Sequence, residues 1–341
     1  MNSTQVVLGI DIGGTNTVFG LVDENGKTYY KREIPTEANL PADLLFLRLF
    51  KAFNSDFKNL QHELELVGIG VGAPSANFFT GTIENPSNFN WGRVNVVKII
   101  SEYYSLPALV TNDANIAAIG EMVYGTAKGL DNFILITLGT GLGSGIVVNG
   151  DVVYGSDGFA GEIGHTIVEE NGRHCNCGRK GCLETYVSAS GICRTVFELL
   201  AVHNDKSILR EFSFDSLTSK LIQQSAMSGD KIANLAFEIT GEKLGKALAN
   251  SVAHLSPEAI ILFGGLALSG DLLITPVKKH LEENLLSIYK GKVKVMTSSL
   301  MESENAALLG AASIIWKELG GGKTLSNSEL KTKNANLHQL K

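Results

Sequence analysis

One pattern of strands and glycine turns occurs twice in the chain, and it constrains the fold more than any other feature. Residues 5–34 contain an apolar strand, a Gly-Gly-Thr turn, a second apolar strand, a tight turn and a third strand. Residues 132–154 repeat this order, with a Gly/Thr-rich turn and an Asn-Gly hairpin. Short apolar runs separated by such turns are typical of β-meanders. The recurrence predicts two halves that are built alike, and it disfavours two unrelated hairpins.

The glycine turn of each meander is a candidate phosphate-binding site. Backbone amides at such a turn can approach a phosphate without hindrance, and a neighbouring carboxylate can hold the magnesium that accompanies it. A lone Gly-Gly-Thr is more often only a tight turn, so the interpretation depends on the repeat. The candidate residues are Asp11, Gly13, Gly14 and Thr15 in the first turn, and Thr137, Gly139, Thr140 and Gly141 in the second.

The commoner nucleotide-binding motifs do not fit this chain. The Gly-Lys-Thr triplets at 26–28 and 322–324 have Leu21 and Lys317 where a P-loop needs its first glycine. The glycine run 139–143 leads into another strand, whereas a Rossmann fingerprint opens a helix. A nucleotide would therefore have to bind through the repeated turns.

A third glycine turn follows a later apolar strand, EAIILF. It consists of Gly264 and Gly265. Two residues without side chains are suited to lying flat under an adenine ring, although an ordinary strand-to-helix turn is the alternative.

Asp113 stands where the short strand ALVTN ends and the helix DANIAAIGEMVY begins. Position alone favours a helix N-cap, which aspartate commonly provides. The alternative is a general base that takes the proton of an attacking hydroxyl while a phosphoryl group is held nearby. The candidate phosphate turns favour the general base.

Three of the four cysteines lie in the segment 161–184, which we call the metal loop. Zinc prefers four nitrogen or sulfur ligands in a closed tetrahedron. One imidazole and three thiolates supply that set: His165, Cys175, Cys177 and Cys182. A disulfide with a spare thiol, or small buried side chains, would be the alternative; a reducing compartment disfavours the disulfide. Cys193 lies apart in an apolar helical stretch and is most simply a core residue.

A polar loop over residues 73–93 is rich in Asn, Pro, Ser and aromatic residues. Asn88 and Trp91 are examples of side chains that could bond to and stack on a polyol, although a polar loop is more often merely solvated.

Composition limits the classes of partner. A chain of 341 residues favours two domains, and 44% hydrophobic with 19% charged residues suits a compact fold. The net charge of -6 argues against nucleic acid or an acidic membrane as the main partner, so small solutes are favoured. We find neither a membrane span nor a secretory signal, and we expect a cytoplasmic protein.

These motifs together resemble the ROK family of sugar kinases and related repressors, over about residues 5–318. The segment Glu162-x-Gly-His165 with the spacing of Cys175, Cys177, Cys182 and Glu184 is the most specific part, because glycine turns occur throughout actin-like ATPases. The resemblance implies an α/β fold of two actin-like (ribonuclease H-like) domains with a ligand cleft between them. The implied domains are 1–111 with 303–320, and 112–302 with the metal loop, followed by a flexible tail at 321–341.

The resemblance also implies roles for individual residues. Asp113 would activate the C6 hydroxyl of a hexose for attack on the γ-phosphate of ATP, and Asp11 would position Mg²⁺. The glycine turns would bind the phosphates, and the zinc would be structural. The implied sugar ligands are Asn88, Asn112, Asp113, Glu162, His165 and Glu184.

The implied function is ATP-dependent phosphorylation of a hexose, glucose first, by a homodimer. An N-acetylhexosamine kinase acting on N-acetylglucosamine or N-acetylmannosamine is the alternative. Repressors of the family carry a DNA-binding module before the first meander, and only about five residues precede it here. A non-catalytic sugar-binding module is disfavoured because Asp11 and Asp113 are both present.

Overall fold

The structure is a computed structural model that describes residues 3–86, 89–301 and 305–320. Asn88 and the expected tail at 321–341 lie outside the described residues. The strands are β1 (Thr4–Ile12), β2 (Asn16–Val22), β3 (Thr28–Pro35), β4 (Leu64–Gly72), β5 (Ala76–Asn77), β6 (Thr82–Glu84), β7 (Arg93–Asn95), β8 (Ala108–Thr111), β9 (Phe133–Leu138), β10 (Leu142–Val148), β11 (Asp151–Val152), β12 (Ala259–Phe263) and β13 (Lys294–Thr297).

The helices fall between the strands and mostly after the second meander, as the apolar periodicity predicts. They are α1 (Ala42–Phe57), α2 (Val96–Tyr103), α3 (Asp113–Tyr124), α4 (Glu184–Val187), α5 (Ala189–Val202), α6 (Ser219–Met227), α7 (Lys231–Leu255), α8 (Asp271–Asn284) and α9 (Ala306–Gly320).

The predicted repeat is confirmed by the topology of two five-stranded sheets. The first has the order β3-β2-β1-β4-β8 and the second the order β11-β10-β9-β12-β13. In each, the meander strands pair antiparallel. The first strand of the meander then pairs with a parallel strand, and that strand pairs with a second parallel strand. The two halves therefore place their glycine turns at equivalent positions.

The chain divides into two compact units by its internal contacts. Unit 1 contains the described residues of 3–128, 154–160 and 305–320, and unit 2 contains 129–153 and 161–301. The predicted boundary at 111/112 differs from this division because α3 packs in unit 1. A Cβ built at Gly310 of α9 would lie 3.0 Å from the carbonyl oxygen of Ile116 in α3, so the two helices are in close contact.

Glycines in the strands of unit 1 allow α9 to lie directly on the first sheet. A Cβ at Gly9 would lie 2.7 Å from the carbonyl oxygen of Leu308, and one at Gly70 would lie 2.0 Å from that of Ala311. Real side-chain atoms do not approach backbone oxygens so closely, so any larger residue would displace the helix. The glycines of β1 and β4 are therefore required by packing.

The described residues of the segment 73–93 form regular structure and core contacts. It contributes β5 and β6 to a small antiparallel sheet with β7. Trp91 is 6% exposed, packs on Phe89 at 4.6 Å between ring centroids, and donates a hydrogen bond from Nε1 to the carbonyl oxygen of Leu40. The indole of Trp91 is therefore not available for stacking on a polyol, a possibility that the sequence left open, because it belongs to the core of unit 1.

Unit 2 places the second sheet against α4–α8, with a core of aliphatic residues from β9, β12, α5 and α7. Cys193 is buried in this core and donates from Sγ to the carbonyl oxygen of Leu217, as expected for a structural cysteine. Within the described part of the chain, none of the helices is long and apolar enough to cross a membrane.

Candidate active site

The first glycine turn, 13–15, joins β1 to β2 and is held by Thr36. The amide of Gly13 donates to the carbonyl oxygen of Asn16 at 3.0 Å. Thr36 donates from its hydroxyl to the carbonyl oxygen of Gly13 at 2.6 Å, and from its amide to that of Thr15 at 2.8 Å. These bonds fix the turn and use the carbonyl groups of Gly13 and Thr15, while Gly14 and Thr15 are exposed to solvent.

Asp11 and Asp113 lie at the same edge of the first sheet. Asp11 of β1 is in register with Gly72 of β4, which is in register with Thr111 of β8, two residues before Asp113. The carboxyl ends of parallel strands thus bring the two carboxylates together. Burial, and then the charge of Asp113, raise the pKa of Asp11 to about 7. Two carboxylates this close favour binding of a cation or of a shared proton.

Asn112, not Asp113, is the N-cap of α3. Its Oδ1 accepts a hydrogen bond from the amide of Ala114 at 2.8 Å, and its backbone is extended, as caps require. Asp113 is the first helical residue; its Oδ1 also accepts from Ala114 at 2.8 Å, and its side chain is exposed to solvent. Desolvation by the surrounding protein raises the pKa of Asp113 despite the backbone hydrogen bonds that lower it. The cap function is thus met by a neighbour, and Asp113 is accessible and more basic than usual.

The second glycine turn, 139–141, is held by the start of α5 in unit 2. The amide of Ala189 donates to the carbonyl oxygen of Gly139 at 2.9 Å, and the hydroxyl of Ser190 donates to that of Thr140 at 3.0 Å. Thr137 accepts a hydrogen bond at Oγ1 from the amide of Gly143 at 3.1 Å. The hydrogen bonds from the start of α5 therefore fix this turn, while Gly139 and Thr140 remain exposed to solvent.

The third glycine turn lies against the end of β9. Gly264 has φ +101°, and a Cβ there would lie 2.8 Å from the carbonyl oxygen of Leu138. The amide of Leu266 donates to the same oxygen at 3.1 Å. Because Leu138 directly precedes Gly139, the structure brings the turns at 139–141 and 264–265 together within unit 2, as the sequence interpretation requires.

The four predicted zinc ligands converge. Their ligand atoms all lie within 4.8 Å of one another. The Sγ atoms of Cys177 and Cys182 are 3.6 Å apart, and Cys175 Sγ is 3.7 Å from Nδ1 of His165. Zinc–thiolate bonds of about 2.3 Å in a tetrahedron give sulfur–sulfur separations of about 3.7 Å. Two of the separations thus match a tetrahedral zinc ion, and the donor set of one imidazole and three thiols is the one that structural zinc prefers.

The three thiols of the cluster differ in acidity: burial raises the pKa of Cys175 to about 12 and also raises the pKa of Cys182, whereas Cys177 is the acidic member. Desolvation acts to raise the pKa of Cys177, but hydrogen bonds from the backbone and side chain of Arg179 and from the neighbouring thiols outweigh it, and the pKa falls to about 6. A thiolate is the form that binds zinc. The left-handed backbone of Gly178 and Gly181, with φ +88° and +76°, lets the cysteines converge, as predicted from their positions.

His165 and Glu184 each place one side-chain atom near Cys175 and a second atom near another group. His165 presents Nδ1 to Cys175, while its Nε2 is 4.0 Å from the carboxylate of Glu162, which is exposed. Glu184 begins α4; its Oε1 is 3.7 Å from Cys175 Sγ, and its Oε2 accepts a hydrogen bond from the amide of Leu142 at 2.9 Å. Nδ1 of His165 thus faces the metal cluster, and Nε2 points away from it toward Glu162.

Two contacts of this region are missed by the sequence analysis. The first is the bond between Glu184 and Leu142, which joins the metal loop to the second glycine turn. The second is Arg173, whose side chain is 10% exposed and bonds to α4 and α5. No local pattern marks either one, because both depend on how distant segments pack.

The predicted residues thus form one cluster in each unit. Unit 1 brings together Asp11, the first glycine turn, Asn112 and Asp113, while unit 2 brings together the second and third glycine turns, the metal cluster and Glu184.

A family model described as the ROK family matches residues 7–318. The chain belongs to the ROK family. A glucokinase of Halalkalibacterium halodurans is 38% identical over 284 residues, which cover 82% of this chain and 86% of that relative. The crystal structure of a ROK family glucokinase from Streptomyces griseus in complex with glucose and AMPPNP matches with a TM-score of 0.73 at 29% identity, covering 91% of this chain and 98% of the other. The predicted actin-like fold of the ROK family is confirmed.

The ROK fold is also found in a regulator. The structure of a ROK family transcriptional regulator, a homologue of the E. coli MLC protein, matches with a TM-score of 0.85 at 25% identity and covers 98% of this chain and 81% of the regulator. A fold shared by kinases and regulators does not assign activity, so the function has to be argued from the side chains of the site.

Proposed function

We propose that the protein is an ATP-dependent sugar kinase that phosphorylates a hexose at the C6 hydroxyl, with glucose as its main substrate. The observation that carries the proposal is Asp113. Asp113 is exposed as a residue, and the surrounding protein raises the pKa of its carboxyl. Asn112 supplies the helix cap, a role that position alone would have given to Asp113. A basic, accessible carboxylate at a strand-to-helix junction is suited to general-base catalysis.

In the proposed reaction Asp113 accepts the proton of the C6 hydroxyl as O6 attacks the γ-phosphorus of ATP. A bond forms between O6 and phosphorus, and the bond between that phosphorus and the β-γ bridging oxygen breaks, so ADP leaves. Asp11 is the residue that would hold Mg²⁺, which supplies charge neutralisation at the phosphates. The edge of the sheet shared by Asp11 and Asp113 supports this assignment.

The glycine turns are assigned to ATP. The residues of the first turn and of the second turn would donate backbone amides and threonine hydroxyls to the phosphates, and Gly264 and Gly265 would lie against the adenine. Support comes from the hydrogen bonds that fix the turns at 13–15 and 139–141 and from the exposure of Gly14, Thr15, Gly139 and Thr140 within them. Turns held rigid in advance lose little entropy when they bind a phosphate.

The metal loop is assigned to the sugar. Glu162, His165 and Glu184 would accept or donate hydrogen bonds to the vicinal hydroxyls, together with Asn112 and with Asn88, which lies outside the described residues. The zinc would be held by His165, Cys175, Cys177 and Cys182 and would be structural. Four protein ligands leave no open position for a substrate oxygen, so zinc fixes the loop and takes no part in phosphoryl transfer.

The test is a coupled assay that measures ADP release with ATP, Mg²⁺ and each sugar in turn: glucose, mannose, fructose, N-acetylglucosamine and N-acetylmannosamine. We expect the highest kcat/KM with glucose. A preference for an N-acetylhexosamine would replace glucose by the alternative substrate class, and the absence of ADP release with every sugar would overturn the kinase assignment. Light scattering at several protein concentrations would test the homodimer, which we propose from family membership.

A further inference from the structure

The side chain of Arg173 lies inside the metal loop, two residues before Cys175, and all of its donors are satisfied by hydrogen bonds within unit 2. Nε and Nη2 donate to the two carboxylate oxygens of Glu198 at 2.8 and 2.6 Å. Nη1 donates to the carbonyl oxygens of Thr185 and Gly191 at 2.7 and 3.0 Å, and Nη2 also donates to Oγ1 of Thr195 at 2.9 Å. A guanidinium has five N–H donors, so none is left over.

Arg173 also contacts the ring of Tyr186, and its backbone amide and carbonyl groups both form hydrogen bonds. The guanidinium carbon lies 4.4 Å from the centroid of the Tyr186 ring, and the hydroxyl of Tyr186 accepts a hydrogen bond from the amide of Arg173 at 3.0 Å. The carbonyl oxygen of Arg173 accepts from the amide of Gly181, the residue before Cys182. Arg173 therefore connects the hairpin that carries the cysteines to α4 and α5.

The contacts of Arg173 lie next to Glu184, one of the residues proposed to bind the sugar. Thr185 and Tyr186, which Arg173 contacts, directly follow Glu184 in α4. Glu184 in turn lies 3.7 Å from Cys175 Sγ and accepts from the amide of Leu142 in β10. A displacement of α4 relative to the hairpin would move Glu184 away from both.

We propose that Arg173 is a positioning residue, which holds the metal-binding hairpin against α4 and α5 so that the zinc ligands stay together and Glu184 keeps its place. The part concerning the sugar rests on the proposed function, whereas the part concerning the metal does not. Residues that orient metal ligands typically change metal affinity by about 10- to 100-fold when they are lost.

The test compares Arg173→Met with Arg210→Met in the full chain. Arg210 provides a matched control, because it also donates from its guanidinium to backbone carbonyl oxygens of unit 2, those of Leu200, His203 and Asp205, but it contacts no residue of the metal loop among the described residues. Release of zinc to a chromogenic chelator is measured first. We expect Arg173→Met to release zinc at least about tenfold faster than wild type, with Arg210→Met close to wild type.

The kinetic readout separates positioning from general damage. Arg173→Met should raise the KM for the sugar about tenfold, with kcat and the KM for ATP changed less than about twofold. Arg173→Lys should fall between Arg173→Met and wild type, because an ammonium keeps the charge but has three donors in place of five and lacks the planar fork that pairs with both oxygens of Glu198.

Three results would overturn the proposal: wild-type zinc release in Arg173→Met, equal acceleration in Arg210→Met, or a wild-type protein that holds no zinc. If Arg173→Met does not fold, Glu198→Gln removes the bidentate partner instead and should accelerate zinc release by a smaller factor; an unchanged rate there also overturns it. A wild-type protein without hexose kinase activity would contradict the proposed function, and the zinc-release comparison would still decide the role of Arg173.

Discussion

Glu184 accepts a hydrogen bond at Oε2 from the backbone amide of Leu142, at 2.9 Å. This bond joins α4, at the end of the metal loop, to the strand that follows the second glycine turn. Gly141 makes the approach possible, because a Cβ built there would lie 2.5 Å from the same carboxylate oxygen. A Cβ at this position would thus push the end of the Glu184 side chain out of its place beside Leu142.

Gly141→Ala should displace the carboxylate of Glu184 and weaken sugar binding. A hydrogen bond to a charged group contributes about 1.5–3 kcal/mol, so losing one from the sugar should lower glucose affinity by about tenfold or more. Calorimetric titration with glucose in the absence of nucleotide measures this. Gly139→Ala is the matched control, because a Cβ at Gly139 would meet no atom within 4 Å. Equal glucose affinity in the two variants would contradict the steric argument.

Asp113→Asn should nearly abolish phosphoryl transfer and leave sugar binding largely intact. The amide keeps the shape and can still accept from Ala114, but it is not a base. Loss of a general base typically lowers the rate by about 10²- to 10⁴-fold. Steady-state kcat and calorimetric glucose affinity are the measurements, with the melting temperature as the folding control. A kcat near that of wild type would contradict the assignment of Asp113 as the general base.

Cys177→Ala should lose zinc, while Cys193→Ala should retain it. Cys177 contributes a thiolate to the cluster, whereas Cys193 donates to the carbonyl oxygen of Leu217 in the core of unit 2. The two variants make the same chemical change at different sites. Metal analysis of the purified proteins should find about one zinc per chain in wild type and in Cys193→Ala, and little in Cys177→Ala. Wild-type protein without zinc would refute the metal assignment.

The pKa of Asp11 predicts how the stability of the metal-free protein depends on pH. The pKa is about 7 in the folded protein against an ordinary value of 3.8, so the folded state binds the proton more tightly. Stability from this group is complete below pH 3.8 and is lost as the pH rises through 7. Urea unfolding in EDTA between pH 5 and 8 should show this loss in wild type. Asp11→Asn should have a flatter profile, and parallel profiles would contradict the shift.

Local patterns were sufficient to predict the two meanders, their common order and the convergence of the four metal ligands. Strand alternation, glycine turns and ligand spacing are all encoded over short stretches of sequence. The boundary of unit 1 was not predicted, because the placement of α3 depends on its contact with α9, nearly two hundred residues away.

The side-chain environment was harder to predict than the backbone. The sequence left open that Trp91 stacks on a polyol, but its indole donates a hydrogen bond to the carbonyl oxygen of Leu40 inside unit 1. Position left Asp113 ambiguous between a cap and a base, and only the extended backbone of Asn112 identifies the cap. No local sequence pattern indicated a role for Arg173, because its hydrogen-bond partners lie in α4 and α5, which follow it in the chain.

The close packing of α9 on Gly9 and Gly70 has a consequence for the order in which the protein is completed during synthesis. The first strand leaves the ribosome before any of unit 2, but the helix that covers it is translated after all of unit 2. Unit 2 can therefore acquire its whole core while the first sheet still has one face uncovered. Ribosome-bound chains that end before residue 306 would expose this glycine-lined face, so we expect unit 1 to complete its packing after unit 2 during synthesis.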